Sequence, residues 1–149
     1  MPLIVGVFFT SLQNQLNSRK GMPFALYALA QGQLLLVLNT HLDPDNHNDA
    51  QRRQLHELAG FVSATFARVS REHGQPATVL AGDFNIEYDS ALYREMLRLL
   101  GARDLAAEAA GVARLPATYA AANEMTMYKM DARIDHCLAL DHPDRPRVR

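Results

Sequence analysis

The sequence predicts an α/β fold, and three observations carry that prediction. Short apolar, β-rich runs recur at residues 3–9, 24–30, 33–39, 78–81 and 133–140. One long amphipathic pattern separates the third run from the fourth, with Leu55, Leu58, Phe61, Val62, Phe66 and Val69 at helical spacing. Three of the runs begin or end in side chains able to do chemistry: His41, then Asp83 with Asn85, then Arg133 with Asp135. In a layered fold, strands aligned in one sheet bring such ends together at one edge.

A chain of 149 residues is enough for one domain with one core. With 48% hydrophobic and 21% charged residues it is globular material, not a disordered tail. The formal net charge of −1 gives no overall pull towards nucleic acid or anionic membrane, though a local basic groove stays open. The lone Cys137 excludes an intrachain disulfide framework and a thiolate zinc site. In its apolar run it reads as a small core side chain. No apolar run is long enough to cross a membrane, so no stable membrane insertion is expected. Residues 1–9 are apolar but lack the basic start and cleavage site of a signal peptide. Compartment stays open.

The elements follow in order. Residues 3–9 read as a buried strand, and residues 10–21 as a polar loop. The runs 24–30 and 33–39, split by Gln31-Gly32, read as a hairpin. Leu34-Leu35-Leu36-Val37-Leu38 has no polar alternation, which predicts burial on both faces. Asn48 with Gln51 forms a capping box for the long helix, and Gly74 is its stop. Gln51, Arg52, Glu57 and Arg68 fall on the solvent face of this reading; Arg52 or Arg53, near the helix start, could steer a phosphate. Thr78 to Ala81 is the next strand. Ser90 caps a second helix, residues 91–100, closed by Gly101. Residues 104–113 are alanine-rich and suggest a short helix, and 115–119 a turn. The last strand is placed at 133–140, with Arg133, Asp135 and Cys137 on one face. Met125, Met127 and Met130 read as gap-filling core.

The segment Val79-Leu80-Ala81-Gly82-Asp83-Phe84-Asn85 is the centre of the chemistry. A buried strand stops at a glycine and then presents a carboxylate and an amide. In extended backbone the one-residue spacing puts both on one side, with Phe84 turned into the packing. A charged acceptor beside an amide suits orienting a water, a metal-bound oxygen or a phosphoryl group. Gly-Asp and Asn also build turns, so that reading stays beside the functional one. His41 follows its strand as part of Asn39-Thr40-His41-Leu42-Asp43, and histidine is the residue type able to switch between donor and acceptor roles. His47 sits in the polar loop beyond it.

These motifs together resemble the endonuclease/exonuclease/phosphatase superfamily, of the deoxyribonuclease I-like fold. The matching segments are Asn39-Thr40-His41-Leu42, Arg52-Arg53-Gln54-Leu55 on the helix, Gly82-Asp83-Phe84-Asn85, and Arg133-Ile134-Asp135-His136, in family order. Lys20-Gly21 and Pro116-Ala117-Thr118-Tyr119 look most like sphingomyelinase-type members. The resemblance covers roughly residues 20–140 and implies a four-layer α/β/β/α sandwich, present here in part. It implies Mg²⁺-dependent hydrolysis of a phosphate ester, carried by a phospholipid head group or by nucleic acid. By the resemblance, His41 stabilises the phosphate, and Asp83 orients or deprotonates the water. Asn85 holds the water or a phosphate oxygen, and Asp135 orients a catalytic histidine. Asn39 and Arg133 are implied to contact substrate, and Asp83 with Asn85 to touch the metal.

Two departures are visible. The family's first metal-binding strands, with their Asn and Glu, have no counterpart in this single 1–149 domain. The closing Ser-Asp-His segment is matched only by Asp141-His142, which follows Asp135 closely. The expectation is one piece of a longer protein, with a missing segment or self-association covering apolar surface. A non-catalytic family member and a nuclease of the same superfamily are the alternatives.

Overall fold

The computed structural model describes residues 20–44, 49–110, 115–122 and 131–141, and the backbone of 3–8. Among the described residues, six strands form one sheet: β1 (Leu3–Phe8), β2 (Gly21–Ala28), β3 (Leu34–His41), β4 (Ala77–Asp83), β5 (Ala102–Asp104) and β6 (Asp135–Leu140). Their spatial order is β1-β2-β3-β4-β6-β5. The described residues also form the α-helices α1 (Asp49–His73), α2 (Ala91–Leu100) and α3 (Leu105–Ala110).

The β2–β3 hairpin forms where Gln31-Gly32 predicts it. Both residues take positive φ, 60° and 72°, and Leu29 N–H donates to the Gln33 carbonyl at 2.7 Å. β3 and β4 are parallel, so the chain must cross over, and α1 is that crossover. β6 then returns antiparallel to β4.

Alternation of burial sets the layers. Phe24, Leu36, Leu38, Leu80 and Leu138 are buried and share one face of the sheet. They form one apolar cluster with Leu55, Leu58 and Val62 of α1 and Leu92 and Met96 of α2. α2 is defined at both ends as its sequence predicts. The Ser90 hydroxyl accepts from Tyr93 N–H, and Gly101 closes the helix in the left-handed conformation.

The opposite face behaves differently. Leu35, Val37, Val79 and Ala81 are only half-buried, and Tyr27 is exposed. This corrects the expectation of two-sided burial for the 34–38 run: among the described residues only one face is packed throughout. Residues 115–118 cover part of the other, over a cleft of about 390 Å³ whose walls include Ala81, Leu115, Pro116, Thr118 and Cys137.

Three further expectations change. β6 starts at Asp135, since Arg133 turns away from the ladder. Strand β5 precedes the alanine-rich helix, at a place where the sequence carries no strand signal. Gln51 is buried and not on the solvent face of α1. The Asn48 cap, His47, His142 and Met125, Met127 and Met130 lie outside the described residues.

Candidate active site

Strand register builds the site. His41 on β3 is the ladder partner of Asp83 on β4, and Asp83 is the partner of Asp135 on β6. One row across three neighbouring strands thus carries an imidazole and two carboxylates. Because side chains alternate, all three share the less covered face with Asn39, Ala81 and Cys137. His41 Nε2 stands 3.6 Å from Asp83 Oδ2, an ion-pair distance longer than a hydrogen bond. The imidazole is 58% exposed and the Asp83 side chain 32%, so an incoming group can reach both.

Gly82 sets this spacing. Its φ is +151°, and a Cβ there would lie 2.0 Å from the Thr40 carbonyl oxygen. Only glycine lets β4 approach β3 so closely one residue before the His41–Asp83 pair.

After Asp83 the chain turns. Asn85 has φ 52°, and its N–H donates to Asp83 Oδ1 at 2.8 Å. The extended geometry expected for Asp83-Phe84-Asn85 is therefore replaced by an Asx turn. Phe84 is fully buried, as expected. Asn85 Nδ2 donates to the Leu42 carbonyl at 2.8 Å, and Leu42 N–H donates to the Asp83 carbonyl at 3.0 Å. The loops after β3 and β4 are thus tied to each other. With its amide nitrogen engaged, Asn85 presents Oδ1 as the atom able to hold a cation or a water proton.

Burial pushes the Asp83 carboxyl above its ordinary value, with the Asp135 charge acting in the same sense. The Asn85 N–H, His41 and Lys20 oppose it without cancelling it. A carboxylate made more basic in this way is better suited to accept a proton from water.

Asp135 is exposed at the end of the row. The Thr118 hydroxyl oxygen accepts its N–H and that of Ile134, both at 3.1 Å, and so fixes the backbone at the strand start. Asn39 spends its Nδ2 on the Ala81 carbonyl at 3.0 Å. Arg133 is placed differently from the single face expected with Asp135. It is buried and donates to both oxygens of Asp104 at 3.1 and 3.2 Å, beneath the Tyr88 ring. Arg52 is engaged with Glu95 of α2 at 3.2 Å.

A buried polar cluster supports the row from the helix side. Asp104 accepts from Tyr93 Oη at 3.1 Å, from Arg133, and from the N–H groups of Ala106 and Ala107. His136 Nδ1 faces the same carboxylate at 3.2 Å, and its Nε2–H donates to the Ile86 carbonyl at 2.8 Å. Burial raises the Asp104 carboxyl, but His136, the Ala107 N–H and Arg133 outweigh it and hold the group well below the carboxylate range. Burial and Asp104 push the Tyr93 hydroxyl far upward, and burial raises the Cys137 thiol.

Sequence reasoning assigns no role to Asp104, Thr118 or Gln54, and none in the site to Gln51. An Asp just before an alanine-rich helix is a capping signal. Gln51 and Gln54 continue the Leu55–Leu58 stripe at spacings of three and four, so period alone places them on the buried face.

No family profile matches the chain, and no curated protein matches it. Solved structures do. Sphingomyelinase C from Streptomyces griseocarneus superposes with a TM-score of 0.64 at 18% identity, over 91% of this chain and 47% of that one. Truncated Caenorhabditis elegans TDP2 gives 0.59 at 17% identity, over 97% and 55%. An endonuclease/exonuclease/phosphatase family protein from Bacteroides thetaiotaomicron gives 0.62 at 17% identity, over 94% and 49%. The chain shares the fold of these solved structures. This chain spans about half the length of the superfamily structures it matches, and its sheet and helices form a mixed α/β part of their deoxyribonuclease I-like fold.

Magnesium prefers hard oxygen donors and keeps several waters or substrate oxygens in its shell. Asp83, Asp135 and Asn85 are oxygen donors of that kind at one sheet edge. Among the described residues, no group of three or more His, Cys, Asp or Glu side chains is arranged to hold a metal ion. The residues fit a share of a magnesium shell and would leave the rest to other ligands.

Proposed function

We propose that this chain contributes one half of a Mg²⁺-dependent phosphodiesterase site of the sphingomyelinase type. The observation that carries the reading is the His41–Asp83–Asp135 row, three chemistry-bearing residues in register on adjacent strands. The exposed His41 imidazole is placed to donate to a phosphoryl oxygen. Asp83, with its carboxyl raised by burial, accepts the proton of the attacking water. The Asn85 N–H bond holds Asp83 in one orientation, and Asn85 Oδ1 receives the water or the cation. Asp135 adds a second carboxylate, which disfavours ionisation of Asp83. Mg²⁺, when held by Asp83 and Asn85, would neutralise charge on the phosphoryl oxygens.

In this reading the half-covered face around Val37 and Val79 receives a second sheet from polypeptide outside residues 1–149, in cis or in trans. That sheet brings the remaining metal ligands to the row. The Lys20-Gly21 and Pro116–Tyr119 segments favour a phospholipid head group as the ester. Solved structures with this fold include both a sphingomyelinase C and a TDP2 complexed with a single-strand DNA product, so the test carries both substrates.

The test is hydrolysis of sphingomyelin, of single-stranded DNA and of a generic phosphodiester, with Mg²⁺ and with chelator, beside Asp83→Ala. Chelator-sensitive turnover that Asp83→Ala abolishes supports the reading, and the preferred substrate assigns the type. Turnover untouched by Asp83→Ala overturns it. A folded but inactive chain moves the test to the assembled protein with its second sheet.

A further inference from the structure

We infer that Gln51 and Gln54, on the first turns of α1, are positioning residues that clamp the two site loops together. The inference deepens the proposed hydrolase site and rests on that reading for its kinetic part. Both side chains are buried, at 2% and 0% exposure, which is unusual for primary amides and demands full hydrogen bonding.

Their partners are the loops that carry the chemistry. Gln51 Nε2 donates to the Asn85 carbonyl at 2.7 Å. Gln54 makes a reciprocal pair with one residue: its Nε2 donates to Asp43 Oδ2 at 2.8 Å, and its Oε1 accepts the Asp43 N–H at 2.9 Å. Asp43 Oδ1 in turn lies 3.8 Å from Lys20 Nζ. The loop after β3 is therefore fixed through Asp43, and the loop after β4 through Asn85. Those loops are joined directly by Asn85 Nδ2 to the Leu42 carbonyl and by Leu42 N–H to the Asp83 carbonyl.

The bonds close a ring: α1, Asp43, Leu42, Asn85, and back to α1. Asn85 sits at a positive φ, costly for a residue with a side chain though less so for Asn, and Gln51 helps to hold it there through its carbonyl. The ring also fixes where the β3 and β4 strand ends stop, hence the His41–Asp83 separation. Glutamine suits both positions because one flat amide offers a donor and an acceptor without charge. A carboxylate at position 54 would face the Asp43 carboxylate.

The experiment uses the full chain carrying Gln51→Met, which keeps the volume and loses the donor, and Gln54→Met as the second variant. Hydrogen exchange reads the clamp. The expected result is exchange about tenfold or more faster at Leu42 N–H and Asn85 N–H, with Leu80 and Leu138 in the β4–β6 ladder unchanged. Kinetics on a phosphodiester read the positioning. A displaced catalytic group costs on the order of 10- to 100-fold in kcat, with KM held within about twofold. Unchanged exchange at Leu42 and Asn85 overturns the clamp. Acceleration spread equally over the whole sheet also overturns it, because the glutamines then serve only overall stability. If exchange changes locally in both variants while the wild-type chain and its assembled form hydrolyse nothing, the clamp stands and the hydrolase reading falls.

Discussion

Gly82 and Thr40 are in backbone contact at the base of the site, and the space for even one methyl group between them is absent. A Cβ at position 82 would lie 2.0 Å from the Thr40 carbonyl oxygen and 3.0 Å from Thr40 N. The next ladder pair is His41 with Asp83. Gly82→Ala must therefore either push β4 away from β3 or break the pairing that aligns those two side chains. The backbone strain alone costs on the order of 1–3 kcal/mol, and the clash adds to it. We expect the urea midpoint to drop by the equivalent of at least about 2 kcal/mol, with any turnover lost alongside. A Gly82→Ala variant with wild-type stability would show that the strands separate easily.

Asp83 should make the protein less stable at neutral pH than a neutral isostere would. Its folded pKa is raised by burial above the unfolded value, about 3.9. The fold therefore prefers the protonated acid. The stability this gives is full below the unfolded pKa and is lost as pH rises through the folded one. Asp83→Asn escapes that loss while its Oδ1 can still accept the Asn85 N–H. The variant should unfold at higher urea than the wild type at pH 7, with the gap closing towards pH 4. A variant less stable at pH 7 would mean that His41 and the Asn85 N–H outweigh burial.

The strand ends are legible in the sequence for a physical reason. His41, Asp83 and Asp135 each sit where an apolar run meets polar residues, and parallel or antiparallel register then aligns them. The spacing does not reveal that Asn85 takes a positive φ. The turn depends on bonds to Leu42 and Gln51, which are 43 and 34 residues away in the chain. Extending the two-residue period of β6 beyond its true start misplaces Arg133. Its partner, Asp104, lies on the neighbouring strand β5, 29 residues away in the chain, and leaves no local signal. The 34–38 run reads as two-sided because it has no polar residue. That pattern is correct for an apolar face, but composition cannot say what covers it.

The Asp104 cluster should be the most sensitive polar point in the fold. Asp104→Ala leaves the Arg133 guanidinium buried without its carboxylate, and removes the acceptor for Tyr93 and the group that His136 Nδ1 faces. Breaking a buried pair by removing one partner costs about 3–5 kcal/mol. The exposed Arg94–Asp89 pair, at 2.8 Å, is the control: Arg94→Ala, on the exposed face of α2, should leave the thermal midpoint nearly unchanged. Because Asp104 is held well below its unfolded pKa, its contribution is present above that value. It is lost as pH falls through the folded one. Wild type and Asp104→Ala should therefore differ most near neutral pH and converge only in strong acid.

Leu36 and Val37 are neighbours on β3 that face opposite sides of the sheet, so they report on the two faces separately. Leu36 is fully buried against the helices, and Leu36→Ala should cost about 2–5 kcal/mol through lost burial and an unfilled cavity. Val37 lies on the half-covered face between Ala25 and Val79 in the ladder. Val37→Ala should cost under about 1 kcal/mol in the 149-residue chain, since little packing is removed. Val37→Asp should leave the chain folded and make it less prone to self-association in sedimentation, because it charges the apolar patch. The same Val37→Asp placed in an assembly with a second sheet should unfold it or drive the sheets apart. Equal losses from Leu36→Ala and Val37→Ala in the isolated chain would mean that residues 1–149 already cover both faces, and the half-site reading would fail with it.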